Sequence, residues 1–241
     1  MVNIAVDYGN TTAKVGIFEN DLVRKEQFSS PESLRKFLQN QPCENIIVSS
    51  VSIGQQEVLS WSMAVRKKIA LTSKSSLPIK VLYDTPDTLG VDRIAAACGA
   101  LDAFPGKDCL VVDAGTCINC EFLDKHGNYH GGSISPGIAM RFGAMHEFTS
   151  RLPQVEPVAE APLIGSSTVS CMQSGVINGI QAEVSGVVAR YRHQYPGIQV
   201  ILCGGDLGYF ETQLGTNVAV LQDLVLSGLN SILRFHTGTR T

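Results

Sequence analysis

Asn3-Ile4-Ala5-Val6-Asp7-Tyr8-Gly9-Asn10-Thr11-Thr12-Ala13-Lys14-Val15-Gly16-Ile17-Phe18 sets two short apolar runs on either side of a polar turn. Residues 4–6 and 15–18 read as strands, and Asn and Gly between them supply turn conformations. An acid ends the first strand and is followed by a glycine, an amide and two hydroxyls. The N–H groups and polar side chains of such a turn can hold phosphate oxygens while the acid holds a hydrated Mg²⁺. The same residues also suit a plain hairpin turn, so this stretch alone leaves both readings open.

A second copy of the pattern shifts the balance. Asp113-Ala114-Gly115-Thr116 ends the apolar run 109–112, and two further runs follow it, 118–123 and 129–135, around His126-Gly127-Asn128. These read as strand, acidic turn and hairpin. A third turn, Gly204-Gly205-Asp206, follows the apolar run 198–202. Glycine there lets a base or ribose approach the backbone closely. Both halves therefore begin strand, acidic turn, strand, strand. The repeat predicts an α/β fold of two similar domains, 1–105 and 106–241, with a cleft between them.

Apolar periodicity fills in the remainder. Helices are expected over 31–39, 55–70, 92–103, 136–148, 168–193 and 224–235, and further strands over 22–28, 46–49, 79–83 and 218–221. Pro136 is expected in the first turn of its helix, a favoured place for proline. The Pro-rich stretch 150–165 has neither period and reads as an extended arm. Its Leu152, Val155, Val158, Leu163 and Ile164 would be exposed on a monomer, which points to a partner surface.

Composition narrows the classes. Of 241 residues, 44% are hydrophobic and 17% charged, enough apolar content for a real core. Net charge is -3 with Lys and Arg scattered, so no basic face for DNA or RNA is present. The N-terminus lacks a signal-peptide pattern, and no apolar run reaches the ~18 residues of a membrane span, so a cytoplasmic protein is expected. Seven cysteines without framework spacing suit reduced thiols, with Cys98, Cys109, Cys171 and Cys203 expected buried. Cys117 and Cys120 form a lone Cys-x-x-Cys in a strand, where they face opposite sides, so packing is expected there. No Walker-type phosphate loop and no protein-kinase signature occurs.

Gly90-Val91-Asp92-Arg93 precedes the third helix. Asp92 can cap that helix, or it can accept a proton from a hydroxyl attacking a phosphate while Arg93 grips a carboxylate. Gly131-Gly132-Ser133-Ile134-Ser135-Pro136-Gly137 leads into another helix, either as an anion-binding N-terminus or as a turn that needs glycine.

Taken in order, Asp7-Tyr8-Gly9-Asn10-Thr11, Gly90-Val91-Asp92-Arg93, Val112-Asp113-Ala114-Gly115-Thr116, Gly131 to Gly137, Arg151-Leu152-Pro153, Thr168 to Gly175 and Gly204-Gly205 resemble the type III pantothenate kinases. That family belongs to the acetate and sugar kinase/Hsp70/actin superfamily. The resemblance spans essentially the whole chain and implies two actin-like ATPase (ribonuclease H-like) domains. It implies ATP-dependent phosphorylation of pantothenate to 4'-phosphopantothenate, the first step toward coenzyme A. By resemblance, Asp7, Tyr8, Gly9, Asn10, Thr11, Thr12, Ala13 and Lys14 form the ATP phosphate turn, and Thr116 is a second ATP contact. Asp92 resembles the general base. Gly90, Val91, Asp92 and Arg93 resemble the substrate loop, with Tyr83 and Thr168 as further pantothenate contacts. Asp113 resembles the ligand of an activating K⁺ or NH₄⁺. Mg²⁺ accompanies the ATP, and the family is a homodimer whose pantothenate sites draw on both chains. Cys203 departs from the pattern, standing where threonine is common. Two alternatives remain: a superfamily kinase for another small hydroxylated substrate, and an ATP-binding regulator.

Overall fold

The first polar turn joins β1 (Asn3–Tyr8) to β2 (Ala13–Glu19), which pair antiparallel from Asn3↔Phe18 to Tyr8↔Ala13. This computed structural model describes residues 1–9 and 12–238, so Asn10 and Thr11 lie outside the described residues. β3 (Asp21–Phe28) adds to β2, while β4 (Asn45–Ser50) and β5 (Lys67–Ala70) extend the other side in parallel. The resulting order is β3-β2-β1-β4-β5. α1 (Pro31–Asn40) links β3 to β4. Its cap is Ser30, whose Oγ accepts the Ser33 N–H at 3.3 Å, and it buries Leu34 and Leu38 against Ile4, Val6, Val15 and Val48.

The expected helix over 55–70 breaks in two. α2 covers only Gln55–Trp61, and residues 67–70 form β5. The helical period is real up to Trp61. Beyond it the free edge of β4 offers a full ladder, Asn45↔Lys67 to Val48↔Ala70, and buries Ile69. Tertiary pairing overrides local propensity there. The strand expected at 79–83 shortens to β6 (Lys80–Val81), and α3 (Val91–Ala103) follows.

The second run of elements repeats the first. β7 (Cys109–Ala114), β8 (Cys117–Leu123), β9 (Asn128–Pro136), β10 (Gln199–Cys203) and β11 (Val218–Val220) lie in the order β9-β8-β7-β10-β11. β7, β10 and β11 are parallel. Strand for strand this is the order of the first sheet, so the sequence repeat is a repeat of topology. α4 (Ile138–Glu147) and α5 (Thr168–Gln194) sit between β9 and β10. Pro136 is not in the first turn of α4 as expected: it ends β9, and Gly137 is the cap. The cause is local, because Gly137 donates its N–H to the Thr116 carbonyl at 3.0 Å and is held to the β7–β8 turn.

The chain groups into two compact units. The first takes Met1–Gly106, Leu123–His130 and Asp223–Thr241; the second takes Lys107–Phe122 and Gly131–Gln222. The division by sequence order, 1–105 and 106–241, differs from this grouping mainly in the last helix, α6 (Leu224–Thr237). α6 buries Leu226, Leu229, Ile232 and Leu233 and packs on β1, β2, β4 and α3, all in the first unit. The first unit also holds the tip of the β8–β9 hairpin, where Asn128 and Tyr129 pair with β6.

The arm at 150–165 carries no helix or strand, as expected, but it is only partly exposed. Val155 is buried, and Leu152, Val158 and Ala161 pack on the second unit's own core. Leu163 and Ile164 alone match the expectation of exposure, at 83% and 84%. Cys171 is exposed, contrary to expectation, because it lies on the outer side of the first turns of α5, whereas Met172 and Val176 point inward. No helix among the described residues is long and apolar enough to cross a membrane.

α3 and α6 cross backbone to backbone. A Cβ on Gly228 would overlap the Ala95 carbonyl oxygen and stand 2.8 Å from Gly99 N, and one on Gly99 would stand 2.5 Å from the Leu224 carbonyl oxygen. Backbone atoms in two packed helices cannot yield cheaply. Gly228→Ala is therefore expected to destabilise the fold by about 1–3 kcal/mol, as overpacking does. Urea denaturation checks this, and an unchanged midpoint would show that the crossing has slack.

Candidate active site

In the first unit the polar turn sits at the carboxyl end of β1. The Gly9 N–H donates to the Thr12 carbonyl at 3.0 Å and closes it, and Asp7 stands directly across from Lys14 in the ladder. The parallel neighbour β4 ends beside it. Ser49 Oγ donates to Asp7 Oδ1 at 3.4 Å, Ser52 Oγ donates to the Gly9 carbonyl at 2.9 Å, and the Val51 N–H donates to the Tyr8 carbonyl at 3.1 Å. Carboxyl ends of adjacent parallel strands are where open α/β sheets bind ligands. Ser49 and Ser52 were not singled out from sequence. The signal was there, as a serine-rich segment directly after an apolar strand.

The same unit brings Tyr83, Asp92 and Arg93 together. Helix α3 begins at Val91 with Gly90 as its cap residue, so Asp92 lies inside the first turn and is not the cap. Its Oδ1 accepts the Arg93 N–H at 2.9 Å, and its side chain is half-buried. Arg93 is buried, with its guanidinium carbon 5.7 Å from the centroid of the Tyr83 ring. That distance suits a cation–π contact. Tyr83 in turn leans on the buried Tyr129 ring at 6.3 Å between centroids. A carboxylate in the first turn of a helix can act as a proton acceptor, and the guanidinium beside it can pair with an anion.

In the second unit three segments converge on the end of β7. The Asp113-Ala114-Gly115-Thr116 turn is closed by the Gly115 N–H donating to the Cys117 carbonyl at 3.0 Å. Gly137, at the start of α4, donates to Thr116 as described above. The Asp206 N–H donates to the Ala114 carbonyl at 2.9 Å. Gly204 has φ +96, and a Cβ there would overlap the Ala114 carbonyl and come within 2.5 Å of Asp113 Oδ1, so only glycine fits. Burial pushes the Asp206 carboxyl up from its ordinary value. Thr116 is exposed at the turn, and Thr168, in the first turn of α5, is also exposed. Ser167 caps that helix, with a reciprocal bond to Ser170.

The donor set suits cations held by few protein groups. Among the described residues no three His, Cys, Asp or Glu side chains cluster as a metal cage. Mg²⁺ in phosphoryl-transfer sites needs only one or two carboxylates besides the substrate's phosphates, which Asp7 can supply. Asp113, half-buried, has its Oδ1 on the same side of Gly204 as the Ala114 carbonyl, and the two could hold a monovalent ion.

Known proteins carry the same fold. A Campylobacter jejuni protein described as a Baf family transcriptional activator superposes with a TM-score of 0.65 at 20% identity, over 98% of this chain and 99% of its own. A glucokinase from an Antarctic psychrotroph gives a TM-score of 0.54 at 12% identity, over 97% and 99%. Fold and turns together match the actin-like ATPase and sugar-kinase fold. Within that fold class, the sequence pattern of type III pantothenate kinase matches residues 3–190. A type III pantothenate kinase of Bacteroides fragilis is 41% identical over 98% of this chain and 99% of its own length. The chain belongs to the type III pantothenate kinase family, and it is a kinase that uses ATP.

Proposed function

We propose that this chain transfers the γ-phosphoryl group of ATP to the terminal hydroxyl of pantothenate, giving 4'-phosphopantothenate for coenzyme A synthesis. The observation that carries this reading is the grouping of Tyr83, Asp92 and Arg93 at the first turn of α3, in a chain of this family. Arg93 pairs with the pantothenate carboxylate, held against the Tyr83 ring so that the substrate has a fixed orientation. Asp92 accepts the proton of the attacking hydroxyl. The Asp7–Lys14 turn receives the phosphates, with Asp7 holding Mg²⁺ and Lys14 adding positive charge; Mg²⁺ supplies charge neutralisation on the phosphates. Thr116 contributes a further contact to ATP, and Thr168 one to pantothenate. The cytoplasm is the proposed compartment, in keeping with seven cysteines without framework spacing.

Asp92→Asn is expected to lower kcat by about 10²–10⁴-fold, the usual cost of losing a general base, with pantothenate and ATP still bound. A coupled ADP-release assay beside calorimetry measures both. Turnover near wild type with only stability reduced would leave Asp92 as a helix-end residue and nothing more.

Activity is expected to require K⁺ or NH₄⁺, with Na⁺ a poor substitute, because Asp113 and neighbouring carbonyls suit a large, weakly hydrated ion. Initial rates in the three chlorides, for wild type and Asp113→Asn, decide it. Full activity in Na⁺, or a variant that keeps its K⁺ response, would remove the monovalent site from the reading.

A homodimer is the proposed assembly. It rests on Phe148, Leu163 and Ile164 of the second unit, each more than 80% exposed and large enough to need a cover. Sedimentation should find the wild type as a dimer and Ile164→Asp shifted toward monomer. A monomeric wild type at micromolar concentration would sink the proposal.

A further inference from the structure

Glu183 lies midway along α5, and its carboxylate works at the start of α4. Oε1 accepts from Ser135 Oγ at 2.6 Å, and Oε2 accepts from Arg141 Nη2 at 2.7 Å. Arg141 also donates from Nε to the Pro136 carbonyl at 2.8 Å. One carboxylate and one guanidinium thus hold the segment 135–136 from two sides. Gly137 follows directly, and its N–H is the one that holds the Thr116 carbonyl at 3.0 Å. The chain of contacts from Glu183 to the Asp113–Thr116 turn has no gap: Glu183, Ser135 and Arg141, Pro136–Gly137, Thr116.

The network has the marks of rigid support. Burial opposes charge on Glu183, yet the hydrogen bonds from Ser135 and Arg141 outweigh it and hold the carboxyl below its ordinary value. Charge-assisted bonds of this length are the stronger kind. Gly137 packs closely on the turn, since a Cβ on it would overlap the Gly115 carbonyl oxygen and stand 2.6 Å from that of Thr116. Without the carboxylate, Arg141 and Ser135 would turn to solvent and the 135–137 segment would be pinned only by its neighbours in β9. A turn that must present its N–H groups to phosphate within a few tenths of an ångström needs such backing.

We propose that Glu183 is a positioning residue for the nucleotide: through Ser135 and Arg141 it fixes Pro136–Gly137, and through Gly137 it fixes the Asp113–Thr116 turn that meets the phosphates. The inference rests on the kinase reading of that turn. It assigns Glu183 no contact with the substrates. Its loss should therefore weaken nucleotide binding while leaving the pantothenate contacts at Tyr83 and Arg93 as they were.

The test uses the full chain and ADP with Mg²⁺ as the probe. Calorimetry on wild type, Glu183→Gln, Arg141→Lys and Ser135→Ala gives the ADP affinity, steady-state kinetics give the two KM values, and thermal melts report the fold. Glu183→Gln should weaken ADP about tenfold, the low end of what lost supporting bonds cost at a bound ion, and raise KM for ATP in step, with KM for pantothenate little changed. Ser135→Ala should weaken ADP by less, and should add nothing in the Glu183→Gln background, because both act through one bond. A folded Glu183→Gln with wild-type ADP affinity and KM values overturns the proposal, as does a melt that drops with both KM values unmoved. If Glu183→Gln does not fold, Ser135→Ala and Arg141→Lys decide, and unchanged ADP affinity in both overturns it. A wild type that does not bind ADP removes the kinase reading and the proposal together. A wild type that binds ADP but ignores pantothenate removes only the substrate assignment, and the ADP comparison still decides the role of Glu183.

Discussion

The contact on which the first unit depends is the one between α3 and α6, where Gly99 and Gly228 let two backbones touch. α6 is the last helix of the chain, yet it lies on β1 and β4, and the buried amide of Asn230 secures it there. Asn3 Nδ2 donates to Asn230 Oδ1 at 3.0 Å, and Asn45 Nδ2 donates to Asn3 Oδ1 at 2.8 Å. This three-amide chain ties the helix to the starts of two parallel strands. Buried amides that satisfy one another specify a register that apolar packing alone would leave loose. With α6 fixed on the sheet and α3 pressed against α6, the first turn of α3 has one place to be. Asp92 and Arg93 take their position from there, and Tyr83 braces Arg93 from the side.

The second unit reaches the same end by other means. Its acidic turn is held by backbone approach, with Gly204 at positive φ against Asp113 and Gly137 against Gly115 and Thr116. The turn is therefore positioned largely by whatever holds Gly137 and Gly204. β10 does this for Gly204, through its parallel ladder with β7 up to Cys203↔Asp113. The segment before α4 ends β9, and its last bond to the turn is the Gly137 N–H on the Thr116 carbonyl, with Ser135 and Arg141 held from the side by Glu183.

Much of this was legible in the sequence because the signal is carried by residue types with few alternatives. Asp7 and Asp113 each end an apolar strand and precede glycine, and from those two positions the repeat, the two sheets and the class of fold follow. The strand order β3-β2-β1-β4-β5 and its copy in the second unit express that repeat in three dimensions. Short range is also where the reading failed. Residues 67–70 carry helical periodicity and become a strand, since the edge of β4 is invisible in a local window. Cys171 looks apolar in its neighbourhood but faces outward, because one residue of shift on a helix turns a side chain by about 100°. Gly99, Gly228 and Glu183 lie far from their partners in the chain, and no spacing rule connects them. The arm shows both cases at once: its lack of period was readable, its packing on α5 was not.

The repeat also sharpens the difference between the two turns. In the first hairpin the strand after the turn opens with Ala13-Lys14, and Lys14 faces Asp7 across the ladder, so the turn carries a base as well as an acid. In the second, the strand after the turn opens with Cys117-Ile118, and Ile118 is buried in the core. No base takes the place of Lys14 there. A second carboxyl, Asp206, joins the turn through its N–H instead, with a pKa that burial has raised. One scaffold position therefore has two charge balances. The first, with Lys14 opposite Asp7, can hold an anion such as phosphate. The second, with two acids and no base opposite Asp113, can hold a cation alongside the phosphates that Thr116 meets in the proposed reading.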